Sequence, residues 1–106
     1  MNDWELLQEW SGQRSEDAFA QLVRRHLEFV HASARRQVTD AALAEDVTQA
    51  VFLLLARKAG SLGRDVILPS WLFRTTRFVA SRALRAERRR RGNEQEAATM
   101  NPPTPP

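Results

Sequence analysis

Trp71, Phe73 and Phe78 are interleaved with Arg74 and Arg77, and the arginines continue through Arg82 and Arg85 to Arg88, Arg89, Arg90 and Arg91. Aromatic rings stack on unpaired bases, and guanidinium groups make bidentate contacts with phosphate. Both side-chain types on one segment suit single-stranded or partly melted nucleic acid, which offers phosphates and exposed π-faces together. The charge is local. Residues 64–91 hold nine Arg against Asp65 and Glu87, a net of +7, whereas residues 1–63 hold seven basic against nine acidic residues. Glu94 and Glu96 follow, so the formal total of +3 conceals a polarised chain.

Other chemistries find little support. His26 and His31 are five apart, off the i, i+4 spacing that puts two metal ligands on one helix face. Adjacent residues Glu45 and Asp46 point apart, a poor arrangement for paired acid–base work. There is no Gly-rich phosphate loop, no Ser in a nucleophile motif and no Cys, hence no disulfide and no Cys-based metal site. No apolar run approaches the roughly 20 residues that span a bilayer, and Asp3, Trp4 and Glu5 stand where a signal peptide would carry positive charge. The expectation is a soluble, cytoplasmic binding domain with no catalytic residue, cofactor, membrane contact or small-molecule substrate.

The elements that must position the arginine-rich segment are helical. Gly and Pro are almost absent before residue 60, and apolar residues recur at i, i+3, i+4 and i+7. Asn2 or Asp3 caps a short first helix with Trp4, Leu7 and Trp10, ended by Gly12. Ser15 caps a second, whose apolar stripe is Phe19, Leu22, Val23, His26, Leu27, Val30 and Ala34. Thr39 or Asp40 caps a third, with core residues Leu43, Val47, Ala50, Val51 and Leu54 and a stop at Gly60. After a loop over 61–68, Pro69 pre-sets a fourth helix from about 70 to 90. Its core face is Leu72, Thr76, Val79, Ala83 and Ala86, and its other face is Trp71, Thr75, Phe78, Arg82 and Arg85. The fold class is therefore all-α, a compact bundle of three main helices plus a short N-terminal one over residues 1–91. Residues 92–106, polar and then Pro-rich, form a linker or tail.

The third helix carries more apolar surface than one core stripe needs. Phe52, Leu53, Leu55 and Ala56 make it apolar all round. One reading buries the whole helix and leaves Asp46 and Gln49 solvated. The other makes Asp46, Gln49 and Phe52 or Leu53 a second stripe, a protein-docking face with an apolar centre and a polar rim.

Three segments together resemble the region 2 domain of bacterial RNA polymerase sigma factors of the extracytoplasmic-function group. The run from Asp17 through Ala18, Phe19, Ala20, Gln21, Leu22, Val23, Arg24 and Arg25 to His26 is similar to the opening helix of that domain. The run from Ala44, Glu45 and Asp46 through Gln49 to Phe52 resembles its acidic-Asp-x-x-Gln-x-x-Phe signature, and Trp71, Leu72, Phe73, Arg74, Thr75, Thr76 and Arg77 its promoter-reading helix. The resemblance implies that Asp46, Gln49, Phe52, Leu53 and Ala56 dock on the β′ clamp helices of core RNA polymerase. It further implies that the fourth helix and the loop before it bind and help melt the promoter −10 element, capturing a flipped base of the non-template strand. The loop over 61–68 would hold that base, with Arg64, Trp71, Arg74, Arg77, Phe78, Arg82, Arg85, Arg88 and Arg89 on the DNA. An anti-sigma factor is a further partner the family implies.

The chain departs from the family pattern at Phe78, where many relatives have Asn, and at Arg82, near which many have an acidic residue. The second domain of the family, region 4, is not in this sequence, and the Pro-rich end resembles the interdomain linker. Two other classes stay open on the residues alone: a sequence-indifferent nucleic-acid-binding bundle, and a protein-interaction module whose arginines serve solubility.

Overall fold

The computed structural model describes residues 1–100, with side chains as far as Ala98. The Pro-rich end from Asn101 onward, read above as part of a linker, lies outside the described residues. Four α-helices follow in order: α1 (Asp3–Gln13), α2 (Glu16–Gln37), α3 (Ala41–Lys58) and α4 (Leu68–Met100), with a 3₁₀ turn (Ala59–Ser61) after α3. There is no strand among the described residues.

Local chemistry sets the helix starts. The Asn2 side chain accepts from the Glu5 N–H at 2.8 Å while the Glu5 carboxylate accepts from the Asn2 N–H at 3.3 Å, a reciprocal capping box. Ser15 accepts from the Ala18 N–H, and Asp40 accepts from the N–H groups of Ala42 and Leu43. Gly12 does not end α1. The helix runs on to Gln13, and Arg14 takes the left-handed cap at φ 54°. Its N–H donates to the Glu9 and Trp10 carbonyls, and its guanidinium sits 5.3 Å from the Trp10 ring centroid. Those contacts offset the strain that a glycine there would have avoided.

Packing rotates the expected core stripes. On α2 the buried residues are Ala18, Leu22, His26, Val30, Ser33 and Ala34, and Leu27, expected inside, is exposed. On α3 they are Ala44, Val47, Thr48, Val51, Phe52 and Leu55, while the expected Leu43, Ala50 and Leu54 are only partly covered. The reason is that α3 packs against both α2 and α4, so its buried arc covers two neighbours. Thr48 joins the core because its hydroxyl donates to the Ala44 carbonyl at 2.8 Å, which removes the cost of burying it. Phe52, expected on a docking surface, is 7% exposed and belongs to the core.

On α4 a ridge of Leu68, Leu72, Thr76 and Ala80 is buried at strict i, i+4 spacing. Thr76 bonds the Leu72 carbonyl at 2.7 Å. Val79 and Ala83 are partly covered, as a helix flank should be, but Ala86 is exposed. The helix does not stop near Arg90; it passes through Gly92 to Met100. A glycine inside a helix costs only roughly 0.5–1 kcal/mol relative to alanine, and Glu94, Gln95, Glu96, Ala97 and Ala98 beyond it are mostly good helix formers. Among the described residues no helix is long and apolar enough to cross a membrane.

Candidate nucleic-acid interface

The buried ridge of α4 leaves its other faces to solvent, and those carry the aromatic and arginine side chains. Phe78 is 58% exposed, and Phe73, Arg74, Arg77, Arg82, Arg85, Arg88 and Arg89 are exposed as well. Trp71 is half-buried, its ring packed against the core. Two arginines sit over neighbouring rings. The Arg82 guanidinium is 5.5 Å from the Phe78 centroid, and that of Arg77 is 6.0 Å from Phe73. Such contacts orient a guanidinium without occupying its N–H donors.

Charge pairing divides the arginine run in two. Arg90 donates to Glu87 at 2.6 Å and Arg91 lies 3.4 Å from the same carboxylate. Arg74, Arg77, Arg82, Arg85, Arg88 and Arg89 have no acidic partner among the described residues. Six unpaired cations on one helix raise its potential and leave donors for an external anion.

A recess of about 430 Å³ opens where the end of α3 meets the start of α4, lined by Leu54, Lys58, Trp71, Arg74, Thr75 and Phe78. Two rings and an aliphatic side chain supply apolar walls, and Lys58 and Arg74 supply charge at the edge. The structure thus brings Trp71, Arg74 and Phe78 together, as their spacing implies, and adds Leu54, Lys58 and Thr75. Leu54 and Lys58 stand one helical turn apart on α3. That spacing is visible in the sequence, but the helix they face is not. Arg64 lies apart from this recess, in the loop between the 3₁₀ turn and α4, with its guanidinium 4.8 Å from the ring centroid of Trp4 on α1.

The residues of the expected docking face form a crest on α3. Asp46, Gln49 and Leu53 are exposed, Leu53 to 60%, and Ala56 is partly covered. The crest runs between two grooves. Asp46 lines the one shared with α4, beside Phe78, Arg82 and Arg89, over a floor that includes Val47, Ala50 and Leu54. Gln49 lines the other, shared with α2, together with Leu27, Glu28, His31 and Glu45. Asp46 and Gln49 therefore share a ridge and not a pocket.

Residues 22–90, a span that contains the signature of α3 and all of the exposed arginine face up to Arg90, match the sigma-70 region 2 family. The chain belongs to that family. The RNA polymerase sigma factor CarQ of Myxococcus xanthus is 36% identical over 74 residues, which is 70% of this chain and 42% of CarQ. The region 2 domain thus spans less than half the length of the curated relative it matches, and that likeness agrees with the extracytoplasmic-function grouping. No solved structure matches the chain.

Proposed function

We propose that this region 2 domain binds core RNA polymerase through the α3 crest and takes the melted non-template strand of a promoter −10 element along α4. The six unpaired arginines of α4 carry this reading. Along α4 they form a track for phosphates, while the recess beside Trp71 and Phe78 accepts one unstacked base. The flipped base then lies between the end of α3 and α4, next to the loop over 61–68. Extruding a base costs a few kcal/mol; stacking returns about 1–3 kcal/mol per base, and phosphate contacts add to it. Binding energy alone can therefore hold the strands apart, and no catalytic group is required.

On α3, Leu53 is the apolar centre of the polymerase contact, with Asp46 and Gln49 as its polar rim and Ala56 as its flat end. Phe52 supports that crest from beneath. The groove between α3 and α4, of about 570 Å³ with an apolar floor and Arg82 and Arg89 at its edge, is the surface we assign to an anti-sigma factor. This function belongs in the bacterial cytoplasm, and residues 1–91 suffice for it, the remainder serving as connector.

The test is binding of the chain to a purified β′ clamp-helix fragment, with the double variant Asp46→Ala/Gln49→Ala as comparison. Binding by the wild type that falls at least tenfold in a variant of unchanged helicity supports the docking face. A well-folded wild type that ignores the fragment, or a double variant that binds as the wild type does, refutes it.

A further inference from the structure

The family match begins at residue 22, so α1 lies outside it. The structure nevertheless ties α1 to the loop that precedes α4. Near its start, the Asp3 carboxylate accepts from Arg25 Nη1 at 2.9 Å and lies 3.0 Å from His26 Nε2, and Arg25 Nη2 also donates to the Met1 carbonyl. Toward its end, Trp10 Nε1–H donates to the Ala56 carbonyl in the last turn of α3 at 2.9 Å, and its ring lies 5.0 Å from that of Phe19. Pinned to α2 and α3 at its two ends, α1 is a fixed platform.

Trp4 is the residue this platform presents to the loop. The Arg64 guanidinium stands over its ring at 4.8 Å. Arg64 is exposed, and among the described residues it makes no ion pair and no hydrogen bond. The loop is otherwise held by Leu62, which packs against the core, and by two backbone bonds, from the Leu62 N–H to the Ala59 carbonyl and from the Val66 N–H to the Gly63 carbonyl. A cation over an indole is oriented by the ring's charge distribution, and all five of its N–H donors stay available to an acceptor. Holding an arginine in place before the ligand arrives lowers the entropy lost when a phosphate binds.

We infer that Trp4 is a positioning residue for DNA binding: Arg64, which the family resemblance already puts on the DNA, contacts a single-strand phosphate, and the Trp4 indole holds its guanidinium ready to do so. This inference rests on the reading of α4 as the single-strand face and extends that face onto α1. Arg64 takes a backbone phosphate of the strand, whatever the base.

The test uses the full 106-residue chain and a short fluorescently labelled single-stranded DNA of randomised sequence, titrated at several salt concentrations. Arg64→Ala should lower affinity about tenfold and flatten the salt dependence by about one counterion. Trp4→Ala should lower affinity several-fold, and Trp4→Phe, which keeps a weaker ring, should restore most of it. In the Arg64→Ala background Trp4→Ala should cost nothing further, because its effect passes through Arg64. A Trp4 that served only the fold would lower affinity equally in both backgrounds, which overturns the inference. Should Trp4→Ala fail to fold, Arg64→Ala and Trp4→Phe decide alone, and an Arg64→Ala chain with wild-type affinity and salt slope refutes the site. Arg74→Ala separates the two proposals. If it loses affinity while the Arg64 and Trp4 variants do not, the α4 reading stands and this one falls. A folded wild type that does not bind the DNA overturns both.

Discussion

Phe52 on α3 and Phe78 on α4 are the same residue with opposite fates: one is 7% exposed, the other 58%. The composition around each ring points the same way. The middle of α3, from Val51 to Ala56, is an unbroken apolar run, whereas Phe78 follows Arg77 in a segment dense with charge. The difference lies in position within the bundle. With α2 on one side and α4 on the other, α3 buries Phe52 and Leu55 and leaves one narrow crest with Leu53 at its centre. On the outside of the bundle, α4 fully buries only the ridge of Leu68, Leu72, Thr76 and Ala80, flanked by the partly covered Trp71, Val79, Ala83 and Leu84, while Phe73 and Phe78 face solvent. A run of apolar residues thus reports burial on most of its sides, Leu53 excepted, while the rings of Phe73 and Phe78 among the arginines stay at the surface.

The sharpest way to break this comparison is to truncate both rings. Phe52→Ala should destabilise the fold by about 3–5 kcal/mol, read as a large fall in the urea midpoint. Phe78→Ala should change stability by no more than about 0.5 kcal/mol, yet weaken single-stranded DNA binding by about 1–3 kcal/mol. Equal losses of stability would show that the two rings do not differ in burial.

A smaller effect separates paired from unpaired arginines within α4. Arg74→Ala should reduce DNA affinity and lower the slope of log affinity against log salt by about one. Arg90→Ala, whose guanidinium is already engaged by Glu87 at 2.6 Å, should do less to both. The idea that free charges form the track fails if Arg90 matters as much as Arg74.

The smallest effect concerns the support of α3. Trp10→Phe keeps the ring near Phe19 but removes the N–H that bonds the Ala56 carbonyl. It should cost about 1 kcal/mol of stability, seen in thermal unfolding, and leave DNA affinity almost unchanged. A loss of DNA binding larger than the loss of stability would place Trp10 within the site.

Much of this was legible from the residues. The cap at Ser15, those at Asn2 and Asp40 to within one of two adjacent candidates, the order of helices and the aromatic–arginine face of α4 follow from local chemistry, because a cap or an i, i+4 stripe involves only neighbours in the chain. The misses have two sources, local stop signals that were overridden and packing between helices. Gly12 carries a stop signal, but the helix runs one residue past it and Arg14 takes the left-handed cap, with its guanidinium over the Trp10 ring. Gly92 carries the same signal, and the helix ran through it. Leu27 lies on the apolar stripe of α2 and is exposed, for burial on one side of a helix depends on where its neighbours sit. The recess was half legible. Trp71, Arg74 and Phe78 share spacing on one helix, while Leu54 and Lys58 reach it only through the packing of α3 on α4.

By itself, the sequence determined the helices, the polarised charge and the family, because these rest on periodicity, side-chain type and motif spacing within single segments. Only the tertiary structure decided which side of each helix was covered, and hence that Phe52 is core while Phe78 is surface. It also decided that Trp4 meets Arg64 across 60 residues of chain. Burial and cation–ring contacts depend on distances between segments, and those distances exist only once the helices have packed.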